Sequence, residues 1–291
     1  MTPDQFERLL AILEEIAARP NYIQELLHAL IPVIIGAVLT FASSLFIDRR
    51  RAAREWHLQK LEEERERARM RLEEEREALR LERQDLETAL NWARTGRKES
   101  LRGIRLPRRD LVGIDLQSAD LAGAIFVEAN LRQANMSGAD LQGANLGEAD
   151  LQGANLGKAD LQGANLRATN LQEANLWSAN LQEATLSLAN LQRAKLSDAN
   201  LQGAILRRAD LREANLEAAK LQGAKLIHAN LQGAYLVDAD LQGADLRYAN
   251  LQGVDLRGAD LQRAVLDGAK ADQQTIWPEG FEVPEGVVIE D

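Results

Sequence analysis

From Leu101 to Leu266 a bulky apolar residue occupies every fifth position, and all 34 are leucine except Phe126 and Met136. Two residues before each stands, nearly always, alanine, as in Ala139-Asp140-Leu141 and Ala149-Asp150-Leu151, with Val254 a departure. Neither common regular element turns this spacing into one apolar face. In an α-helix, residues five apart sit about 140° out of register, so the leucines would spiral round the surface. In a straight strand an odd spacing sends successive leucines to opposite faces. The pattern becomes coherent when the chain bends once per five residues. Alanine and leucine, two apart, then share an inward face, and polar pairs such as Gln142-Gly143 and Gly147-Glu148 point out or form the corner. Successive turns stack at strand spacing, with backbone hydrogen bonds along the axis. Repetition of this kind marks an architecture built by stacking.

The repeated Ala-Asp/Asn-Leu-x-x unit, over residues 101–270, resembles the pentapeptide-repeat family. The resemblance implies a mainly β fold, a right-handed quadrilateral β-helix with four sides and about twenty residues per coil. Residues 111–270 then make about eight coils, roughly 38 Å long at about 4.8 Å per layer. Glutamine follows every other leucine from Gln142 to Gln262, Arg212 excepted, so opposite sides are chemically alike. Both ends of such a stack expose unpaired backbone and need capping. Residues 271–281 break the pattern and look like the C-terminal plug of some pentapeptide-repeat proteins, with Trp277 and Phe281 covering the last leucines. The acidic stretch from there to Asp291 is expected to fray.

The first third is α-helical in character. Thr2 and Gln5 have capping-box spacing and Pro3 suits a first helical position. Phe6, Leu9, Leu10, Leu13, Ile16 and Ala17 form one apolar stripe before Arg19-Pro20 stops the helix. This amphipathic helix lies on the outer membrane surface, self-associates, or packs against its own chain's membrane segment; its acidic polar face disfavours the first. Between Glu25 and Asp48 lie 22 residues without a formal charge, about 33 Å as a helix and enough to cross a bilayer. Arg49, Arg50, Arg51 and Arg54 follow this run rather than precede it, unlike a signal peptide. The positive-inside rule therefore puts the N-terminus outside and the rest in the cytoplasm. From Arg54 to Arg94 the chain is rich in Glu and Arg and lacks Gly and Pro. A heptad seam runs through Leu58, Leu61, Ala68, Leu72, Leu79, Leu86, Ala89 and Ala93, interrupted by Arg65, Glu75 and Glu82. A coiled coil and a single charged helix both fit, and Thr95-Gly96-Arg97 ends the segment. The expected parts are thus an amphipathic helix (1–20), a transmembrane helix (21–48), a charged helix or coiled coil (49–96), the repeat β-helix (97–270), and a cap with tail (271–291).

Chemistry is sparse. There is no cysteine, and His28, His57 and His228 are too scattered to cluster. No nucleophile–base pairing, phosphate loop or metal-ligand spacing appears, so no catalytic residue, cofactor or metal site is expected and the chain does not read as an enzyme. Asp120, Asp140 and Asp160 stack, but their column continues through Asn180, Asn200 and Lys220, the pattern of a solvated polar ladder rather than a cation site. Residues 111–270 carry 19 acidic and 14 basic side chains, −5, without a basic groove for nucleic acid. Trp177, Ile205, Ile227, Tyr235, Val237 and Tyr248 occupy outward positions and form the candidate interaction surface. The function expected is a membrane-tethered scaffold that presents a rigid rod to a cytoplasmic protein and self-associates through its N-terminal helices. The alternatives are the DNA-mimic, topoisomerase-binding role that the resemblance implies for acidic members, and an oligomeric membrane assembly.

Overall fold

A five-residue unit headed by Asp or Asn accounts for all of its backbone N–H groups. In residues 140–144, Asp140 N–H donates to the Ala119 carbonyl (2.9 Å), Leu141 N–H to Asp160 (2.7 Å) and Gly143 N–H to Gln162 (3.0 Å). Ala144 N–H closes a turn onto the Leu141 carbonyl at 3.0 Å, and Gln142 N–H donates to the Asp140 side chain at 3.0 Å. That last bond explains the Asp/Asn column: a short side-chain acceptor satisfies an N–H two residues on. The turn has the type II pattern, with Gly143 at φ 62°.

The structure, a computed structural model, describes residues 3–17, 22–95 and 100–290, in two units, Met1–Glu77 and Ala78–Asp291. In the second unit parallel bridges join residues twenty apart, as in Asp120↔Asp140↔Asp160, making a β-helix solenoid with four bridge ladders. We name these after one member of each: the Asp120, Ile125, Asn130 and Asn135 ladders. The leucine column and its alanine partners fill the axis, and Phe126 and Met136 are as fully enclosed as Leu161. Thr169 stands in the alanine column as a further departure, completely buried, with its hydroxyl donating to the Leu146 carbonyl at 2.7 Å.

The C-terminal end corrects one expectation. Beyond the last regular rungs the register slips: Asp255 bridges Ile276, and strand β1 (Lys270–Asp272) pairs in parallel with β2 (Val288–Glu290). The tail therefore does not fray; it adds a layer over the open edge. Lys270 Nζ lies 2.6 Å from Glu290 Oε1, and Gln252 Nε2 donates to Glu290 Oε2 at 2.9 Å. Asp291 lies outside the described residues. Trp277 and Phe281 stack at 5.4 Å between ring centroids and pack, partly buried, against the core.

Helix α1 spans Pro3–Ala17; Thr2 and the expected Arg19-Pro20 stop lie outside the described residues. Helix α2 runs from Tyr22 to Thr95 and continues through Pro32, with Gly96 and Arg97 again outside the described residues. It contains one stretch long and apolar enough to cross a membrane. Every described side chain from Leu30 to Lys60 is exposed. The end of α2 behaves differently, because Ala89 and Trp92 are buried against the first coil and Leu86 and Ala93 pack beside them. Asp85 Oδ2 accepts the Arg105 N–H at 3.0 Å, taking up a donor at the open end of the ladder. The last three members of the heptad seam thus contact the solenoid.

Candidate interaction surface

Outward residues follow the ladders. Glutamine recurs beside the Asp120 and Asn130 ladders, while the other two carry varied side chains. The six candidate residues divide between these two varied ladders, half a coil apart. Trp177, Tyr235 and Val237 belong to the Asn135 ladder; Ile205, Ile227 and Tyr248 belong to the Ile125 ladder. Trp177, Tyr235 and Tyr248 are exposed, whereas Ile205, Ile227 and Val237 are half-buried between neighbouring rungs.

On the Asn135 ladder the rungs Asn175, Lys195, Asn215 and Tyr235 follow one another directly. With Trp177, Ser197, Arg193 and Glu213 they line a hollow of about 530 Å³. Trp177 is held in place: its Nε1–H donates to Asp198 Oδ2 at 3.0 Å, and Lys158 Nζ lies 4.9 Å from its ring centroid. A fixed indole at one end, a tyrosine at the other and an ammonium between suit contact with a protein side chain or backbone. On the Ile125 ladder, His228 stacks on Tyr248 at 5.0 Å between centroids.

The Asp column finds its donors within the chain. Asp160 receives Asn180 Nδ2 at 2.9 Å and Gln142 Nε2 at 2.6 Å, and Asp120 receives Ser100 Oγ at 2.7 Å and Arg102 Nε at 3.3 Å. The Ser100 hydrogen bond is the main cause holding the Asp120 carboxyl below its usual range. Asp245 and Asp255 are likewise held low, chiefly by hydrogen bonds from Arg247 and Arg257. Among the described residues no group of three or more acidic or histidine side chains is placed to hold a metal ion.

Sequence reasoning missed the residues that close the N-terminal end, Asp85, Ala89 and Trp92. A signal was present, since Leu86, Ala89 and Ala93 keep helical apolar spacing next to an uncharged aromatic. It read equally well as the last heptads of a coiled coil.

A family model for pentapeptide repeats matches residues 110–147, 149–187, 189–226 and 224–263. Among solved structures, the chain is similar to HetL from the cyanobacterium Nostoc sp. strain PCC 7120, a pentapeptide repeat protein involved in heterocyst differentiation regulation, at 38% identity. That match covers 66% of this chain and 95% of HetL, with a TM-score of 0.27. It is also similar to alr5209, a pentapeptide repeat protein from Nostoc PCC 7120 (43% identity, 35% of this chain, 84% of that one, TM-score 0.34). A third similarity is to QnrB1, a plasmid-mediated fluoroquinolone resistance protein (20% identity, 58% and 94% covered, TM-score 0.32). A search of the curated proteins finds no match.

Proposed function

Because the chain belongs to the pentapeptide-repeat family, we propose that it is a non-enzymatic, membrane-tethered scaffold whose coils offer a rigid rod to protein partners on the cytoplasmic side. The observation that carries this reading is the uncovered apolar stretch of α2, whose side chains from Leu30 to Ile47 are exposed on a helix that continues to Thr95. Leaving so many apolar side chains in water is unfavourable by roughly 1.5–3 kcal/mol for each large one, and a bilayer removes that penalty. Arg49, Arg50, Arg51 and Arg54 follow immediately, and the Arg50 guanidinium lies 4.6 Å from the Phe46 ring. The positive-inside rule, applied to these arginines, supports an N-terminus outside and coils in the cytoplasm.

In this reading the rod is right-handed and four-sided, the form that family membership implies, and four ladders per coil support it. Trp277 and Phe281 cap its far end. The middle of α2 is the spacer, and its exposed Leu58, Leu61, Leu72 and Leu79 are the seam through which copies associate. The hollow between Trp177 and Tyr235 is the first place to look for a bound partner. A DNA-mimic role is less well supported, because the −5 balance of residues 111–270 is weak and Arg193, Lys195, Arg207, Arg208, Lys220 and Lys225 interrupt it.

Deletion tests the tether. Without residues 1–50 the protein is expected in the soluble fraction with its β circular dichroism intact, whereas the full chain pellets with membranes. A truncated protein that still pellets rejects the anchor.

A further inference from the structure

The coils between Ala164 and Tyr248 hold nine basic and nine acidic side chains, but the two signs are separated. The five units on the Ile125 ladder carry Arg167, Arg207, Arg208, Lys225 and Arg247 against Asp245 alone, a balance of +4. The other three ladders share the remaining four basic and eight acidic side chains, −4. Arg247 is engaged with Asp245 at 2.7 Å. Arg207 and Arg208 are exposed and form no ion pair among the described residues.

The side chains on this ladder add a second observation. The residue two after each leucine adopts positive φ, and on the Asp120 ladder glycine fills that place at Gly123, Gly143, Gly163, Gly203, Gly223 and Gly243, with Glu183 the exception in that run. On the Ile125 ladder the equivalent positions are Leu188 (φ 64°), Arg208 (φ 55°), His228 (φ 58°) and Tyr248 (φ 59°). Bulky side chains stand, coil after coil, in a conformation that glycine adopts at less cost. Non-glycine residues share this conformation on the other ladders too, as at Glu183, Arg193 and Asp198, so it is the run of side chains on this ladder, not its backbone, that sets it apart. Leu188 and Tyr248 are exposed at the two ends of the column, with the Arg208 cation and the ring of His228 between.

We propose that Leu188, Arg208, His228 and Tyr248, flanked by Arg207 and Lys225, form a docking stripe for an extended acidic segment of a protein partner. The stripe from Arg167 to Arg247 spans four coil spacings, about 19 Å, which matches about six residues of extended chain. Acidic side chains of the segment pair with the free arginines, and an apolar one seats against Leu188 or Tyr248. A DNA duplex or a flat bilayer fits less well, because both are wider than one ladder. The neighbouring ladders would press Glu183 and Asp240 on one flank, and Glu173 on the other, against phosphates. The inference deepens the scaffold reading by naming the chemistry of its partner.

The test uses the full chain in detergent and a fluorescein-labelled peptide of glutamates with one phenylalanine, read by fluorescence anisotropy. Binding that weakens with salt, and falls roughly tenfold or more in Arg207→Glu/Arg208→Glu, is expected. Arg208→Gly separates binding from folding, because it relaxes the backbone: its melting temperature should match or exceed that of the parent while peptide affinity drops. No binding, or binding indifferent to these variants, overturns the proposal. Affinity that survives them but is lost in Lys195→Glu moves the partner to the Trp177 hollow, overturning the stripe while the scaffold reading stands. Stronger binding to a short DNA duplex, or to phosphatidylcholine vesicles containing phosphatidylglycerol, rejects the acidic segment. Fractionation of the 1–50 deletion reports on the tether independently.

Discussion

Leu161 and Leu72 are the same side chain with opposite fates. Leu161 is 0% exposed in the middle of the solenoid, while Leu72 is 48% exposed on α2. In the solenoid, a five-residue bend and a twenty-residue return supply each leucine with a leucine above, a leucine below and alanines beside it, all from the same chain. On α2 the apolar residues lie along a helix whose own turns cannot cover them, and from Leu30 to Leu79 the described ones are exposed. The coils are self-sufficient in burial; the helix before its last turns is not.

Charge insertion tests this contrast most severely. Leu161→Asp leaves an unpaired charge in the stack and should destabilise by roughly 3–5 kcal/mol, whereas Leu72→Asp should stay within about 0.5 kcal/mol. Urea unfolding of the full chain in detergent, followed by β circular dichroism, checks both; equal tolerance breaks the comparison. Next comes the place where helix and coil meet. Trp92 is 5% exposed, and Trp92→Ala should cost about 3 kcal/mol. The loss is local, read as faster hydrogen exchange at Leu106 and Leu111 with Leu201 unchanged.

A smaller effect concerns the surface of the solenoid. The carboxyls of Asp245 and Asp255 have folded pKa values depressed by their arginine partners. The stability they contribute is present above the ordinary carboxylate range, near pH 4, and is lost as pH falls through the lower folded values. Melting temperature should therefore decline below about pH 4, and Asp255→Asn should flatten that decline, by less than about 1 kcal/mol. The smallest change expected is Gln162→Asp, within about 0.5 kcal/mol, because Gln162 is exposed. A large loss there would mean that the glutamine column does more than coat the outside.

How much could be read without coordinates differs between the inside and the outside. The inward columns were legible because burial there is a local matter: position within the five-residue unit decides it, and Phe126 and Met136 obey the rule as leucine does. The hydroxyl of Thr169 is tolerated for a reason no periodicity states, an acceptor 23 residues away at Leu146. The tail past Phe281 read as acidic and loose, yet its last residues pair with Lys270–Asp272, since an open ladder edge leaves donors and acceptors to satisfy.

By itself, then, the sequence determined the coil, its axis and the membership of the family, since a strict short period constrains every unit in the same way. Tertiary structure alone decided which outward residues meet. It put Trp177 and Tyr235 at the two ends of one hollow, three coils apart, separated both from Tyr248 by half a turn, and drew Leu86, Ala89 and Ala93 out of the heptad seam to close the first coil together with Trp92. The physical reason is that such contacts depend on which layers stack and what an exposed end requires, and neither is written in any single repeat.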